Sequence, residues 1–352
     1  MSRKKRILVL LSLTIASFCL GGLVSSYFPQ IKYFMSKIDK WDDAKPSKWN
    51  DAFSLVHIQS SVNRYRQPAY FVPSPSGIPK PLLLSLHTWS GDYSQFDPLA
   101  EMALNADWNY IHPDFRGPNW TKEACLNNQV ISDIDDAIQF AIDNGSVDTA
   151  NIFVAGASGG GHATLGSYLN LSHSVKAFLA WVPISDLIAW YHQSKCRNTK
   201  YAQDILKCTS DGSVLNEDEA RRRSPLYWEP PLEPRGRLEI FAGINDGYTG
   251  SVPISQSILF FNKLVEHYGY TECKVGENDM IKLLTRGFET PGTPKKLGDR
   301  LVIYEKVTEP VSLIIFDGTH EMLPEYCFSR MQHLAEQGAA VGANSAALDS
   351  PR

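Results

Sequence analysis

The sequence has no surplus of charge of either sign, no cysteine spacing suited to a metal, no internal repeat and, outside one tail, no low-complexity stretch. Each shortage excludes something. Its 34 Lys and Arg residues stand against 38 Asp and Glu, a formal net charge of −4, which supplies no phosphate-binding surface and leaves nucleic acid out as an expected partner. None of the six cysteines falls in a C-x-x-C pair, and no Cys/His group has zinc-site spacing, so no metal and no cofactor are expected. The tail from Gln337 to Arg352 is rich in Ala, Gly and Ser and is expected to be disordered.

The start of the chain has an apolar run without charge. From Ile7 to Ser26 there is no charged residue, and Arg3, Lys4, Lys5 and Arg6 precede the run. Two readings fit. A secretory signal peptide has this basic start and apolar stretch, with Val24, Ser25 and Ser26 offering a small-residue cleavage site. An uncleaved signal anchor needs ~20 apolar residues, which residues 7–26 barely provide. Both readings put the body of the protein outside the cytoplasm, in the periplasm or the medium. Tyr27, Phe28, Tyr33, Phe34 and Trp41 come next, either as aromatics at a membrane interface or as linker residues packed on the domain. The expected division is a leader over 1–26, a linker over 27–48, a catalytic domain over 49–336 and the tail over 337–352. Five cysteines lie outside the leader, an odd number that leaves one thiol unpaired if disulfides form. Cys196 and Cys208 are close in a polar loop, where an exported chain permits a bridge.

The positive signal is an alternation of strand and helix. Apolar residues make up 43% of the chain, enough to bury a large core. Short apolar runs bounded by turn residues read as buried strands at Pro81–Leu86, Trp108–His112, Asn151–Ala155, Ala177–Val182, Leu238–Ala242 and Val311–Phe316. Between them, Ser132 to Ala141 carries Ile134, Ala137, Ile138 and Ala141 on one helical face. Phe53–Val72 reads as an opening hairpin. The pattern predicts an α/β fold: a mostly parallel, twisted sheet with helices on both faces. In such sheets ligands bind beyond the carboxyl ends of the strands.

The residues just past each strand are therefore informative. After Asn151–Ala155 comes Gly156-Ala157-Ser158-Gly159-Gly160, a G-x-S-x-G between a strand and a helix. Against a background of ~7% glycine, chance would produce such a pentapeptide in roughly a tenth of chains this long. The strand before it and the small-residue helix after it are the context in which the serine hydroxyl is exposed on a strained turn, with the Gly159 N–H facing a developing oxyanion. A serine hydroxyl needs a base, and acid then histidine come later in order, each past its own strand. Asp246 comes after Leu238–Ala242 and His320 after Val311–Phe316. Ser158 is the expected nucleophile, His320 the general base and then acid, and Asp246 the group that orients it. Asp317 is the fallback acid. Among the other histidines, His162 is expected to pack, while His87 and His112 end or follow strands and are the plausible rivals. A second oxyanion donor is expected from Trp89, after Pro81–Leu86, although Thr88 stands where many relatives have glycine.

These segments carry a resemblance. Leu86-His87-Thr88-Trp89-Ser90-Gly91, Pro113-Asp114-Phe115-Arg116-Gly117, the elbow itself, Pro183-Ile184-Ser185-Asp186, Arg223-Ser224-Pro225 and Gly318-Thr319-His320-Glu321 make the chain from about Leu55 to Leu334 resemble the catalytic domain of prolyl oligopeptidase-type α/β-hydrolases. The resemblance implies that family's fold and machinery, without the β-propeller that filters peptides, for which the chain has no room. Trp190–Glu229 is expected to form a cap and Cys273–Arg300 a second insertion, the loops that select substrate. The expected function is an exported serine hydrolase cleaving an acyl bond of a small-molecule ester, a glycan-linked ester or a peptide. An esterase leads, a peptidase is the alternative, and a catalytically inactive binding protein is the reading from another class.

Overall fold

A computed structural model describes residues 46–288 and 294–348. The expected leader and most of the expected linker lie outside the described residues.

The described residues build one ten-stranded sheet. In chain order its strands are β1 (Ser54–Gln59), β2 (Arg66–Val72), β3 (Lys80–Leu86), β4 (Asn109–Pro113), β5 (Val147–Ala157), β6 (Ala177–Trp181), β7 (Arg237–Gly243), β8 (Lys296–Leu297), β9 (Arg300–Val307) and β10 (Val311–Phe316). They lie in the order β1-β2-β4-β3-β5-β6-β7-β10-β9-β8. The six from β4 to β10 run parallel, while β1, β2, β9 and β8 pair antiparallel at the two edges.

The central strands are mostly apolar because both faces are covered, with Ser85, Asn109, His112, Glu239 and Ser312 as buried polar exceptions. Leu82, Leu84 and Leu86 of β3 point into one core layer and Leu83 into the other, the period of two that a pleated strand imposes. The first layer is closed by α2 (Val130–Asn144), α3 (Gly159–Asn170) and α7 (Ser255–His267). The second is closed by α1 (Pro98–Asn105) and α9 (Pro324–Leu348). Ile134, Ala137, Ile138 and Ala141 of α2 are buried, the face expected from their spacing.

Two differences from the sequence reading are physical. The stretch expected as an insertion up to Arg300 holds a helix, α8 (Glu277–Thr285), and the short β8, and it leads into β9, which the apolar-run criterion passed over. The apolar stretch of β9, residues 301–304, is only four long, is bounded by Arg300 on one side and Glu305 and Lys306 on the other, and is mostly half-buried. The tail expected to be disordered from Gln337 carries helix as far as Leu348, continuing α9. Its alanines, the best helix formers, favour that continuation.

Between β6 and β7 the chain leaves the sheet as α4 (Leu187–Cys196), α5 (Tyr201–Thr209) and α6 (Glu217–Arg222). Asp186 caps α4, its Oδ1 accepting from the N–H groups of Ile188 and Ala189 at 2.9 and 3.1 Å. These helices carry their own apolar cluster, to which Ile184, Leu187, Trp190, Ile205 and Leu206 belong together with Trp89. The cap thus packs on the loop that succeeds β3. A second tie is polar: Lys200 Nζ donates to Ser90 Oγ at 2.6 Å.

The sheet also fixes where a ligand would sit. The chain leaves β3 for β4 on one side and later enters β5 on the other, so β3 and β5 flank the topological switch point. Trp89 lies just past the first of those strands and Ser158 just past the second.

Candidate active site

Strand β5 ends and helix α3 begins around Ser158. A strand turns into a helix within one residue only in an unusual conformation, and Ser158 has φ 57° and ψ −114°. A residue with a side chain is strained there. Backbone hydrogen bonds hold the turn: the Ser158 N–H donates to the Trp181 carbonyl at 2.9 Å, and the His162 N–H to the Ser158 carbonyl at 2.8 Å. The flanking glycines have no space for more. A Cβ on Gly156 would lie 2.5 Å from the Gly160 carbonyl, and one on Gly159 would lie 2.4 Å from the nitrogen and Cα of Trp89. Gly159 opens α3, so its N–H is among those that find no partner within the helix, at the positive end of the helix dipole.

The loop after β3 supplies the opposing wall. Thr88, in the place where glycine was expected, is accommodated by Gln95: the Thr88 N–H and hydroxyl both donate to Gln95 Oε1, at 2.9 and 3.1 Å. With the Thr88 amide engaged there, the Trp89 amide is the one laid against Gly159. The Trp89 carbonyl accepts from the Asn119 N–H at 2.8 Å. The Trp89 side chain is buried and meets Trp190 of the cap edge-on, ring centroids 4.8 Å apart.

Asp246 and His320 are brought together from sequence positions 74 residues apart. His320 Nδ1 and Asp246 Oδ2 are 2.7 Å apart. The other carboxylate oxygen accepts from the N–H groups of Gly247 and Val252, each at 2.9 Å. With Oδ1 so occupied, Oδ2 is aimed at the imidazole, and both side chains are almost wholly buried. Ser158, Asp246 and His320 come after β5, β7 and β10, so all three stand at the carboxyl edge of the parallel strands. Asp317, the fallback acid, is exposed, and the bond to His320 is made by Asp246.

The rival histidines are engaged elsewhere. Both ring nitrogens of His87 face backbone carbonyls, of Thr88 and Asp114, at 2.9 Å, and the ring stacks on Phe115. His112 is buried, and burial brings its pKa down to about 4 despite the nearby Asp97 carboxylate. His162 is buried in α3 with Nδ1 on the Ile184 carbonyl at 2.9 Å.

The prolyl oligopeptidase family model matches residues 95–279, more than half of the chain. The chain belongs to the prolyl oligopeptidase family. Membership supports a serine hydrolase. Solved structures share the fold at low identity. An acylaminoacyl peptidase from Pyrococcus horikoshii is 15% identical with a TM-score of 0.54, over 84% of this chain and 44% of its own. A puromycin-hydrolyzing peptidase from Mycobacterium tuberculosis is 17% identical with a TM-score of 0.53, over 82% and 39%. Porphyromonas gingivalis dipeptidyl peptidase 4 is 18% identical with a TM-score of 0.52, over 81% and 35%. The chain thus spans less than half the length of these relatives. No curated protein matches it.

The remaining family-like segments serve structure. Arg116 pairs with the buried Asp133 at 2.6 Å and lies over the Tyr65 ring. Arg223 donates to the carbonyls of Ala124 and Lys122 at 2.8 and 3.0 Å, tying the end of α6 to the loop before α2.

Two supporting residues were given no role by the sequence. Arg197, at the end of α4, donates to the carbonyls of Gly247, Gly250 and Ser251 at 3.0, 2.8 and 2.7 Å. That loop is the one whose N–H groups hold Asp246. Glu321 accepts from the Thr319 N–H at 2.9 Å and from Arg300 at 2.7 Å, bracing the turn that carries His320. The Gly-Thr-His-Glu segment pointed to Glu321 as part of a motif; nothing local to Arg197 marked it, since its partners are backbone atoms about fifty residues away. A cleft of about 610 Å³, bordered by Leu126, Ile131, Arg221, Tyr227 and Trp228, includes none of Ser158, Asp246 or His320.

Proposed function

We propose that this chain hydrolyses acyl bonds through an acyl-enzyme intermediate, with Ser158 as nucleophile. The observation that carries the reading is the buried bond from His320 Nδ1 to an Asp246 carboxylate itself fixed by two backbone N–H groups, at the same sheet edge as the strained Ser158. In the proposed cycle His320 accepts the Ser158 hydroxyl proton through Nε2 as oxygen attacks the carbonyl. The Asp246 carboxylate stabilises the imidazolium. The amides of Gly159 and Trp89 receive the oxyanion, and His320 returns the proton to the leaving group. Water then repeats the sequence on the acyl-serine.

For substrate, the reading is a compact carboxylic ester, free or glycan-linked. Its support is the cap of α4 to α6, which packs an apolar cluster directly on the oxyanion loop at Trp89. A short peptide is the second reading, favoured by the family match and by peptidases among the structural relatives. The reading includes export, supported by the basic cluster Arg3–Arg6 ahead of the uncharged residues 7–26. A leader–alkaline phosphatase fusion that stays inactive in cells would count against export.

Labelling with a fluorophosphonate tests the reaction class. Wild-type protein is expected to be modified at Ser158 and Ser158→Ala to fold but neither label nor turn over. An intact wild-type protein that stays unlabelled points instead to a binding protein on this fold. Comparing short acyl esters, acetylated sugars and proline-containing peptides separates the two substrate readings.

A further inference from the structure

The bridge anticipated between Cys196 and Cys208 is not the one the fold favours. Cys196 is exposed at the end of α4, whereas Cys208 is buried in α5 against a different cysteine. The sulfurs of Cys125 and Cys208, 83 residues apart in sequence, lie 2.8 Å from each other. That is only about 0.8 Å longer than the ~2.05 Å of a disulfide.

The surroundings hold this pair in place. Cys125 and Leu126 both have left-handed backbone, φ 54° and 50°, a strained pairing for residues with side chains. Arg223 secures it, donating to the carbonyls of Ala124 and Lys122 while its Nε pairs with Glu219 at 2.6 Å. His162 lies on the other side. Its Nδ1 faces the Ile184 carbonyl, which only accepts, so Nδ1 is the donor in that bond. Burial pushes the Cys125 thiol up, but Cys208, His162 and Arg223 together bring it below the usual thiol range; burial and Cys125 push Cys208 up. One cysteine is thus biased toward thiolate and the other toward thiol, an attacking and a receiving partner.

We propose that Cys125 and Cys208 form a disulfide that fastens the cap helix α5 to the body of the domain beside Trp89. The oxidant is an external disulfide such as oxidised glutathione. While α5 is unseated, the Cys208 thiolate attacks that disulfide, forming a mixed disulfide and releasing one thiol. As the cap seats, Cys125 attacks Cys208 Sγ as the thiolate and expels the second thiol, which takes up the proton that Cys125 gave up. Two protein thiols thereby lose two electrons and two protons, and one external disulfide becomes two thiols. The bond closes a long loop of chain, the case in which constraint of the unfolded state is greatest. It also adds a covalent tie to the apolar cluster that Trp89, Trp190, Cys125 and Cys208 share.

The test needs no hydrolase activity. The full chain is refolded with oxidised glutathione, unfolded, alkylated with iodoacetamide and digested with trypsin without reductant. The expected product joins the peptide carrying Cys125 to the one carrying Cys208, with Cys196, Cys273 and Cys327 alkylated. Alkylation of both Cys125 and Cys208, or a link from Cys208 to Cys196, overturns the proposal. In parallel, reduction with tris(2-carboxyethyl)phosphine is expected to lower the wild-type unfolding temperature by several degrees and to leave the Cys125→Ala/Cys208→Ala variant unmoved. An equal response in both proteins overturns it too; if the variant does not fold, the peptide map decides alone.

Discussion

The α-carbon of Gly159 sits so close to the backbone of Trp89 that a single added methyl would lie 2.4 Å from the Trp89 nitrogen. This contact sets the two proposed oxyanion donors side by side, one from the start of a helix and one from a loop. Gly159→Ala is therefore expected to force them apart. The loss should appear in kcat, by roughly 100- to 1,000-fold, the usual effect of removing one such donor. KM should change little, because the donors act on charge that develops in the transition state. Steady-state kinetics on an activated ester, beside a melting curve showing the variant folded, measures this; an unchanged kcat would remove Trp89 and Gly159 from the oxyanion assignment.

His112 makes stability depend on pH. Burial holds its pKa near 4, below the ordinary 6.5 of the unfolded chain. Between those values the unfolded state binds a proton that the folded state does not, so stability falls as pH drops from 6.5 toward 4 and the loss is complete below 4. The contribution is on the order of 3 kcal/mol at its limit. His112→Asn keeps a donor for the Ser85 carbonyl, which His112 Nδ1 now reaches at 2.9 Å, and removes the titration. Urea unfolding across this pH range should show a shallower decline for the variant. Parallel curves would mean that His112 is protonated in the folded state as readily as in the unfolded one.

The candidate site was legible because the strands that precede Ser158, Asp246 and His320 end in buried, largely apolar stretches, broken only by Glu239 in β7 and Ser312 in β10. Order along the chain then did what no single motif does, placing serine, acid and histidine at one edge. The half-buried β9 was not legible, since its apolar stretch at residues 301–304 is short and bounded by charged residues on both sides. Nor was the partner of Cys208. Proximity in sequence suggested Cys196, but Cys196 is exposed while Cys208 is buried against Cys125, which arrives from a loop 83 residues earlier. Arg197 was invisible for a related reason: backbone carbonyls carry no signature of the side chain that will bind them.

Glu321 tests how firmly His320 must be held. Its carboxylate joins the Thr319 N–H to Arg300 and is itself buried, which raises its pKa above the usual carboxylate value. Glu321→Gln keeps an oxygen for Thr319 and gives up the charge paired with Arg300. Glu321→Ala gives up both and leaves a buried amide without an acceptor, at about 1–3 kcal/mol. The alanine variant should thus be the less stable and the less active of the two, as read by denaturant unfolding and by kcat/KM. Equal losses would assign the whole effect to the ion pair.

Arg197 is a positioning residue whose effect reaches the chemistry through Asp246. Its guanidinium serves three carbonyls of one loop, and the N–H groups of Gly247 and Val252 in that loop fix the carboxylate. Lysine carries the charge but lacks the planar fork, so Arg197→Lys should recover only part of the arrangement that Arg197→Ala destroys. A loosened Asp246 stabilises the His320 imidazolium less well. The acidic limb of the kcat/KM profile should then move to lower pH in Arg197→Ala, with kcat at the plateau down by about tenfold or more. A variant that melts earlier but keeps both the limb and the plateau would show Arg197 to be an anchor for the cap alone. The order alanine, lysine, arginine in both limb position and plateau rate is what coupling through the carboxylate requires.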